Sequence, residues 1–335
     1  MRTCARRAIS LGVLFPATLA NTLCAPILIA VLAVCDALTD RRMPLTRAYL
    51  LIFFYLVWET AGVAAAFAAW LCAGVWPLRN RRRFLAWNYA LQRIWAGGFA
   101  KAGIALFSLR LAIDGGYAFG DKPFLMLVRH TSLADTILVS WCMLVERRMR
   151  MRYAMKKDLL WDPCLDIVGN RLPNCFLERG SRDGAREVEK LAALATGLGP
   201  GEGVVMYPEG TRFSKKKRAQ ALKRLKERGD AALLDIAARL RHVLPPRPAG
   251  TLALLEHAPQ ADAVFFVHDG FEGASSFADM FRGSMIGREI RARYWTVPAS
   301  LIPASAEARR QWLYEEWMRV DETVDGWRKQ DGRLS

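Results

Sequence analysis

"FLMLVRHTSLADTIL", residues 124–138, decides how the second half of this chain folds. Phe124–Val128 is an unbroken apolar run of strand length that stops at Arg129-His130. An apolar run without alternation suits a strand covered on both faces, as in a sheet between layers of helix. From Thr136 the apolar residues resume in "TILVSWCMLVERRMR" (136–150), which the spacing predicts as a helix. His130 therefore stands at the carboxyl end of a strand, where α/β sheets carry their sites. Asp135 falls in the first turn of the following helix, so imidazole and carboxylate can meet in one crevice. A carboxylate bonded to one imidazole nitrogen fixes the tautomer and leaves the other nitrogen a better base. Ser132-x-x-Asp135 also has the form of a helix cap, so this stretch alone leaves capping and chemistry both open.

The same alternation continues downstream. "CFLE" (175–178), "GVVMY" (203–207) and "AVFFV" (263–267) read as short buried strands, and "DGAREVEKLAALAT" (183–196) reads as a helix. Leu233, Ile236, Ala237 and Leu240 keep i, i+3, i+4, i+7 spacing, which predicts a helix over much of 216–241. Strands alternating with helices give an α/β domain, expected over residues 124–330.

The first part of the chain has a different character. Residues 8–35 carry no charge and residues 48–78 carry only Glu59. Each stretch exceeds the roughly 20 apolar residues needed to cross a bilayer. They predict a membrane anchor over 1–78, with two hydrophobic spans at about 8–35 and 48–76; Pro16 and Pro26 would kink or re-enter the first. Residues 79–123 fit helices that link the two parts, interfacial or packed on the domain. Arg79, Arg81, Arg82 and Arg83 directly follow the second span. That bias predicts an integral membrane protein with both ends and the α/β domain on the cytoplasmic face. The excess of arginine over lysine points to a bacterial genome, and so to an inner membrane.

The net charge is +16, from 48 Lys+Arg against 32 Asp+Glu. Residues 1–78 hold six basic and three acidic groups, so +13 lies in the rest. A basic domain beside a membrane suits anionic headgroups or phosphorylated small molecules. Nucleic acid is not an expected partner, because residues 215–228 interleave no aromatic side chains with their charges. The seven cysteines form no C-x-x-C pair and no metal-ligand spacing, so they read as reduced thiols and no metal site is expected.

Two further pieces bear on chemistry. "VVMYPEGTRFSKKKR" (204–218) ends a strand in Tyr207-Pro208-Glu209-Gly210, followed by Thr211-Arg212. Pro and Gly suit a β-turn there. The same loop suits a phosphate, with a forked donor set on Arg212 and close backbone approach at Gly210. "LPNCFLERGSRDG" (172–184) sets Arg179 just past another strand.

Taken in order, His130-x-x-x-x-Asp135, "FLER" with Arg179, and Glu209-Gly210-Thr211-Arg212 resemble the motif blocks of the glycerolipid acyltransferases. That family includes the 1-acylglycerol-3-phosphate, or lysophosphatidic acid, acyltransferases. "HVLPPRPAG" (242–250) and residues 290–327 resemble segments of the eukaryotic-type lysophosphatidic acid and lysocardiolipin acyltransferases. One departure is that the strand at 263–267 runs into "VHDGFEG", where many bacterial members carry a valine-proline pair.

The resemblance implies a mixed sheet flanked by helices behind N-terminal transmembrane helices. It also implies acyl transfer from acyl-CoA or acyl carrier protein to the free hydroxyl of a lysophospholipid, foremost 1-acyl-sn-glycerol-3-phosphate. His130 would be the general base and Asp135 its orienter; Arg212 would bind acceptor phosphate, with Glu209, Gly210, Thr211 and Arg179 completing the pocket. No cofactor beyond the thioester co-substrate is implied. Expected partners are the lysophospholipid and acyl thioester substrates, membrane lipids and an acyl carrier protein. No G-x-S-x-G elbow is present, so direct attack without an acyl-enzyme is the economical mechanism. Another acceptor (lysocardiolipin, another lysophospholipid, glycerol 3-phosphate) fits the same motifs. So does a silent, membrane-tethered lipid-binding protein.

Overall fold

Phe124–Val128 forms a strand with every residue buried, and the fold is built around it. The structure, a computed structural model, describes residues 3–75, 79–115, 122–132, 134–178, 184–274 and 277–332. Three helices lead: α1 (Thr3–Thr39), α2 (Pro44–Ala73) and α3 (Arg81–Phe107). The seven strands are β1 (Arg110–Asp114), β2 (Phe124–Val128), β3 (Arg150–Lys156), β4 (Cys175–Leu177), β5 (Glu202–Met206), β6 (Asp262–Asp269) and β7 (Glu289–Val297). They make one sheet in the order β1-β7-β6-β2-β5-β3-β4. β7 runs antiparallel to β6 and every other pairing is parallel, so the sheet is mixed.

The remaining helices are α4 (Ala134–Ser140), α5 (Pro163–Ile167), α6 (Gly184–Ala195), α7 (Lys215–Glu227), α8 (Ala231–Arg239), α9 (Pro248–His257), α10 (Phe277–Phe281) and α11 (Ala306–Gln330). Alternate residues of the central strands feed two cores, as the period of a strand requires. Leu125, Leu127, Val204 and Phe265 meet α6, α9 and α11 through Leu191, Leu254 and Trp317. Phe124, Met126, Val205 and Phe266 meet α2, α3 and α4 through Leu51, Phe107 and Val139. Each such side chain removed from water contributes about 1.5–3 kcal/mol, which fixes β2 between β5 and β6.

Three local differences from the sequence expectation have physical causes. The helix expected over 136–150 is α4 followed by a π-helical turn, Trp141–Glu146, and it ends before β3 begins at Arg150. Arg148 takes a left-handed conformation, φ 55°, which reverses the chain there. The helix expected over 216–241 is two helices. They break at Gly229, φ 72°, and Asp230 restarts the second by accepting the Leu233 N–H. Finally, residues 79–123 supply α3 and also the edge strand β1, which pairs with β7.

α1 and α2 are long and apolar enough to cross a membrane. α1 continues through Pro16 and Pro26 and turns Leu19, Leu23, Ile27 and Leu38 outward. Its amino end is fixed to the α/β domain, where Arg6 and Arg7 both grip the buried Asp166 at 2.8 and 3.2 Å. α2 rests on that domain near both ends: Pro44 lies against Gly283, and Arg171 donates to the Ala66 carbonyl at 2.8 Å. The apolar helices are thus packed on the domain rather than held off by a linker.

Candidate active site

The corner between β2 and α4 brings His130 and Asp135 together. His130 Nδ1 lies 3.2 Å from each carboxylate oxygen of Asp135. Asp135 is fully buried and also accepts the Thr131 N–H at 2.7 Å and the Ser132 N–H at 2.8 Å. Burial alone would push its pKa up. The hydrogen bond from His130, the charges of His268 and His130, and the Ser132 N–H outweigh that and hold it below the ordinary value. An ionised acceptor facing Nδ1 places the ring proton there and leaves Nε2 with a lone pair. Capping and orientation are therefore the same contact set: Asp135 starts α4 and holds His130 at once.

Glu209 enters through the backbone. Its side chain is buried; one oxygen accepts the His130 N–H and the other the Leu244 N–H, both at 2.9 Å. Burial pushes Glu209 up to about 8, against the pull of those two N–H groups and of Arg129. It ties the strand end carrying His130 to the segment 242–246, which α11 supports from below. Trp317 donates to the Leu244 carbonyl at 3.0 Å and Tyr314 to that of Pro246 at 3.1 Å. Gly210 closes the turn, its N–H on the Tyr207 carbonyl at 2.9 Å, with φ 67°. A Cβ there would also come within 3.2 Å of the Arg247 side chain, so glycine meets two demands at one position. Thr211 accepts Lys217 Nζ at 2.9 Å, and Lys217 also donates to the Arg212 carbonyl at 3.1 Å. Arg179 lies outside the described residues.

Sequence reasoning missed two buried residues behind the pair. His268, on β6, is fully buried; its Nε2 lies 2.9 Å from the Arg129 carbonyl and 3.6 Å from Asp135. Because a carbonyl only accepts, Nε2 carries the proton and points it between that carbonyl and the carboxylate. Arg129, 1% exposed, donates to the carbonyls of His268 and His242 and faces Asp269 at 3.5 Å and Glu272 at 3.6 Å. The signal was present in the abrupt "RH" at the end of an apolar strand and in "VHDGFEG", but nothing local links two segments 139 positions apart.

His268 yields a pH prediction. Burial, first of all, pulls its pKa down from 6.5 to about 4. Between those values the unfolded chain binds a proton that the folded chain refuses, so stability is full above about pH 6.5 and is lost on acidification. The loss amounts to at most about 3 kcal/mol. His268→Gln keeps an N–H near the same place and does not titrate. Its melting temperature should fall less than the parent's between pH 7 and pH 4, and parallel melting curves would sink the assignment.

His130 keeps 12% of its side chain exposed, with its ring 4.5 Å from that of Tyr207. It faces a cavity of ≈ 2130 Å³. Its lining includes Leu51, Trp58, Trp95 and Phe107 of α2 and α3, and the cations Arg212, Lys217 and Arg247. Apolar side chains, a histidine paired with a carboxylate, and cations thus border one continuous space. Such a site can accept an amphiphile with an anionic head and take a proton from a group held beside Nε2.

Residues 111–245 match the family model described as Acyltransferase. Among solved structures, the fold is similar to the crystal structure of the 1-acyl-sn-glycerophosphate (LPA) acyltransferase PlsC from Thermotoga maritima. The TM-score is 0.54 at 14% sequence identity, covering 84% of this chain and 98% of that one. No curated protein matches the sequence. The chain therefore has a PlsC-like acyltransferase fold: a mixed α/β sheet flanked by helices, with two apolar helices at its amino end.

Proposed function

We propose that this protein is a membrane-associated O-acyltransferase that moves a fatty acyl group from a thioester to the free hydroxyl of a lysophospholipid. The acceptor that fits best is 1-acyl-sn-glycerol-3-phosphate, giving phosphatidic acid. The observation that carries the reading is that His130, held by the buried Asp135, lines the same cavity as apolar side chains of α2 and α3 and as the cations Arg212, Lys217 and Arg247. A lysophospholipid has a part for each: acyl chain, glycerol hydroxyl, phosphate.

In this mechanism the hydroxyl lies beside His130 Nε2, which takes its proton as the oxygen attacks the thioester carbonyl. Asp135, ionised and bonded to Nδ1, stabilises the imidazolium that forms. The C–S bond breaks, the ester forms, and the thiolate leaves with the proton from Nε2. Glu209 keeps the His130 backbone in place, and Arg212 binds the acceptor phosphate. The apolar faces of α1 and α2 would lie in the bilayer, and the arginines after α2 favour the cytoplasmic face.

The direct test is an acceptor screen with the purified protein, acyl-CoA and acyl carrier protein donors, and mass-spectrometric detection of products. Lysophosphatidic acid should be acylated fastest. No transfer to any lysophospholipid would overturn the reading. Within that assay, Arg212→Lys keeps a charge but loses the fork. Losing one charge-assisted bond of ~1.5–3 kcal/mol should lower kcat/KM for lysophosphatidic acid roughly 10- to 150-fold, mostly through acceptor KM. An acceptor without the phosphate should be poor with the parent and scarcely worse with the variant. Equal losses on both acceptors would remove Arg212 from phosphate binding.

A further inference from the structure

α7 follows directly on the loop that holds Arg212, and none of its residues is buried. It is nonetheless fixed in place. The Ser214 side chain caps it through the Lys217 N–H at 3.3 Å, and Arg218 donates to the carbonyls of Ala238 and Leu240 at the end of α8. The residues of α7 and its closing residue that line the cavity are Lys217, Gln220, Ala221, Arg224, Leu225 and Arg228. Their spacing is i, i+3, i+4, i+7, i+8, i+11, which is a single helix face. Three of the six are cations and none is acidic. At 1.5 Å per residue the stripe from Lys217 to Arg228 is about 16 Å long.

The two outer cations are the informative ones. Lys217 is engaged with the loop through Thr211 and the Arg212 carbonyl. The guanidiniums of Arg224 and Arg228 have no hydrogen-bond or ion-pair partner among the described residues. Of the acids near them in sequence, Glu227 is turned to Lys223 at 3.9 Å and Asp230 to Arg310 at 3.7 Å. A row of guanidiniums facing a substrate cavity suits several phosphate groups strung along one extended ligand. The other cations of α7, including Lys223 and Lys226, lie off this face and do not line the cavity.

We propose that the cavity face of α7, through Arg224 and Arg228, binds the phosphate groups of a coenzyme A thioester, and so makes acyl-CoA the acyl donor. The assignment rests on the acyltransferase reading above and deepens it. Coenzyme A carries a diphosphate and a ribose phosphate at the far end of its pantetheine arm. With the thioester beside His130, the arm runs out along α7 and brings those phosphates to the outer cations. A carrier protein would instead touch the faces of the helix turned away from the cavity, where Lys223 and Lys226 sit; Arg224 and Arg228 are also exposed, but on the face that lines the cavity. An anionic leaflet would also meet those faces first.

The test uses the full-length protein in detergent micelles and two double variants, Arg224→Ala/Arg228→Ala and Lys223→Ala/Lys226→Ala. The parent's preference for acyl-CoA over an acyl-N-acetylcysteamine thioester, which has no phosphate, should fall roughly tenfold or more in the arginine variant. The lysine variant should keep that preference. Free coenzyme A titrated calorimetrically into the same proteins should bind roughly tenfold more weakly to the arginine variant. Equal slowing with both thioesters, equal effects of the two double variants, or efficient use of acyl carrier protein with no use of acyl-CoA would each overturn the assignment. The two readings fail separately. A parent that binds coenzyme A at the arginines yet acylates nothing sinks the acyltransferase reading and keeps the site. A parent that acylates lysophospholipids while its coenzyme A affinity ignores Arg224 and Arg228 does the reverse.

Discussion

His130→Ala should lower turnover by roughly 10³- to 10⁴-fold while acceptor KM stays within about threefold. In the proposed mechanism the imidazole is the base beside the hydroxyl, and among the described residues His130 is the one histidine that lines the cavity. The fold should survive the change. The side chain is partly exposed to the cavity, and its backbone N–H on Glu209 and carbonyl bonded to the Phe213 N–H are unaffected by truncation. A stability loss within about 1 kcal/mol is expected, as for other substitutions away from packed cores. Kinetics of the purified variant against lysophosphatidic acid, beside its melting curve, decide the matter. A well-folded variant with near-parental kcat would leave His130 as a polar strand end and Asp135 as a helix cap.

Asp135→Asn should cost nearly as much in rate, by a different route. The amide is the same shape but has one acceptor oxygen where the carboxylate has two. Asp135 takes N–H groups from Thr131 and Ser132 and the ring proton of His130. If the amide oxygen stays on the backbone donors, its NH₂ faces Nδ1, and the ring must move its proton to Nε2. The base is then protonated at the atom that should receive the substrate proton, and a fall of about 10⁴ in kcat is expected from that tautomer error. If the amide flips, the Thr131 and Ser132 N–H groups, which share one oxygen, both lose their acceptor, at about 1–3 kcal/mol of stability each. A pure capping role predicts the second outcome without the first. A variant that melts early but turns over normally would therefore refute the orienting role.

The sequence by itself determined what is local. The apolar runs at 124–128, 203–207 and 263–267 became the three central strands β2, β5 and β6 to within a residue or two at either end, because a strand buried on both faces leaves an uninterrupted apolar record. The meeting of His130 and Asp135 was equally legible, since a strand end and the first turn of the next helix cannot lie far apart. The two apolar helices were visible for the same reason. β3 and β7 were not read as strands, because "RMRYAMK" and "EIRARYWTV" set arginines among their apolar residues. Only the sheet shows that Arg152 is buried against the carbonyls of Leu194, Thr196 and Gly197.

Tertiary structure alone decided what surrounds the dyad. Glu209 reaches His130 across 79 positions, and His268 reaches Arg129 across 139. Such contacts arise when parallel strands are laid side by side with the connecting helices folded out of the way, and strand order is not written in any window of sequence. The cationic stripe of α7 belongs to both accounts. Its spacing is in the sequence, but which of its faces meets a cavity depended on Arg218 and Leu222 anchoring the other side to α8. Periodicity states that a helix has faces; packing chooses the one that a substrate can touch.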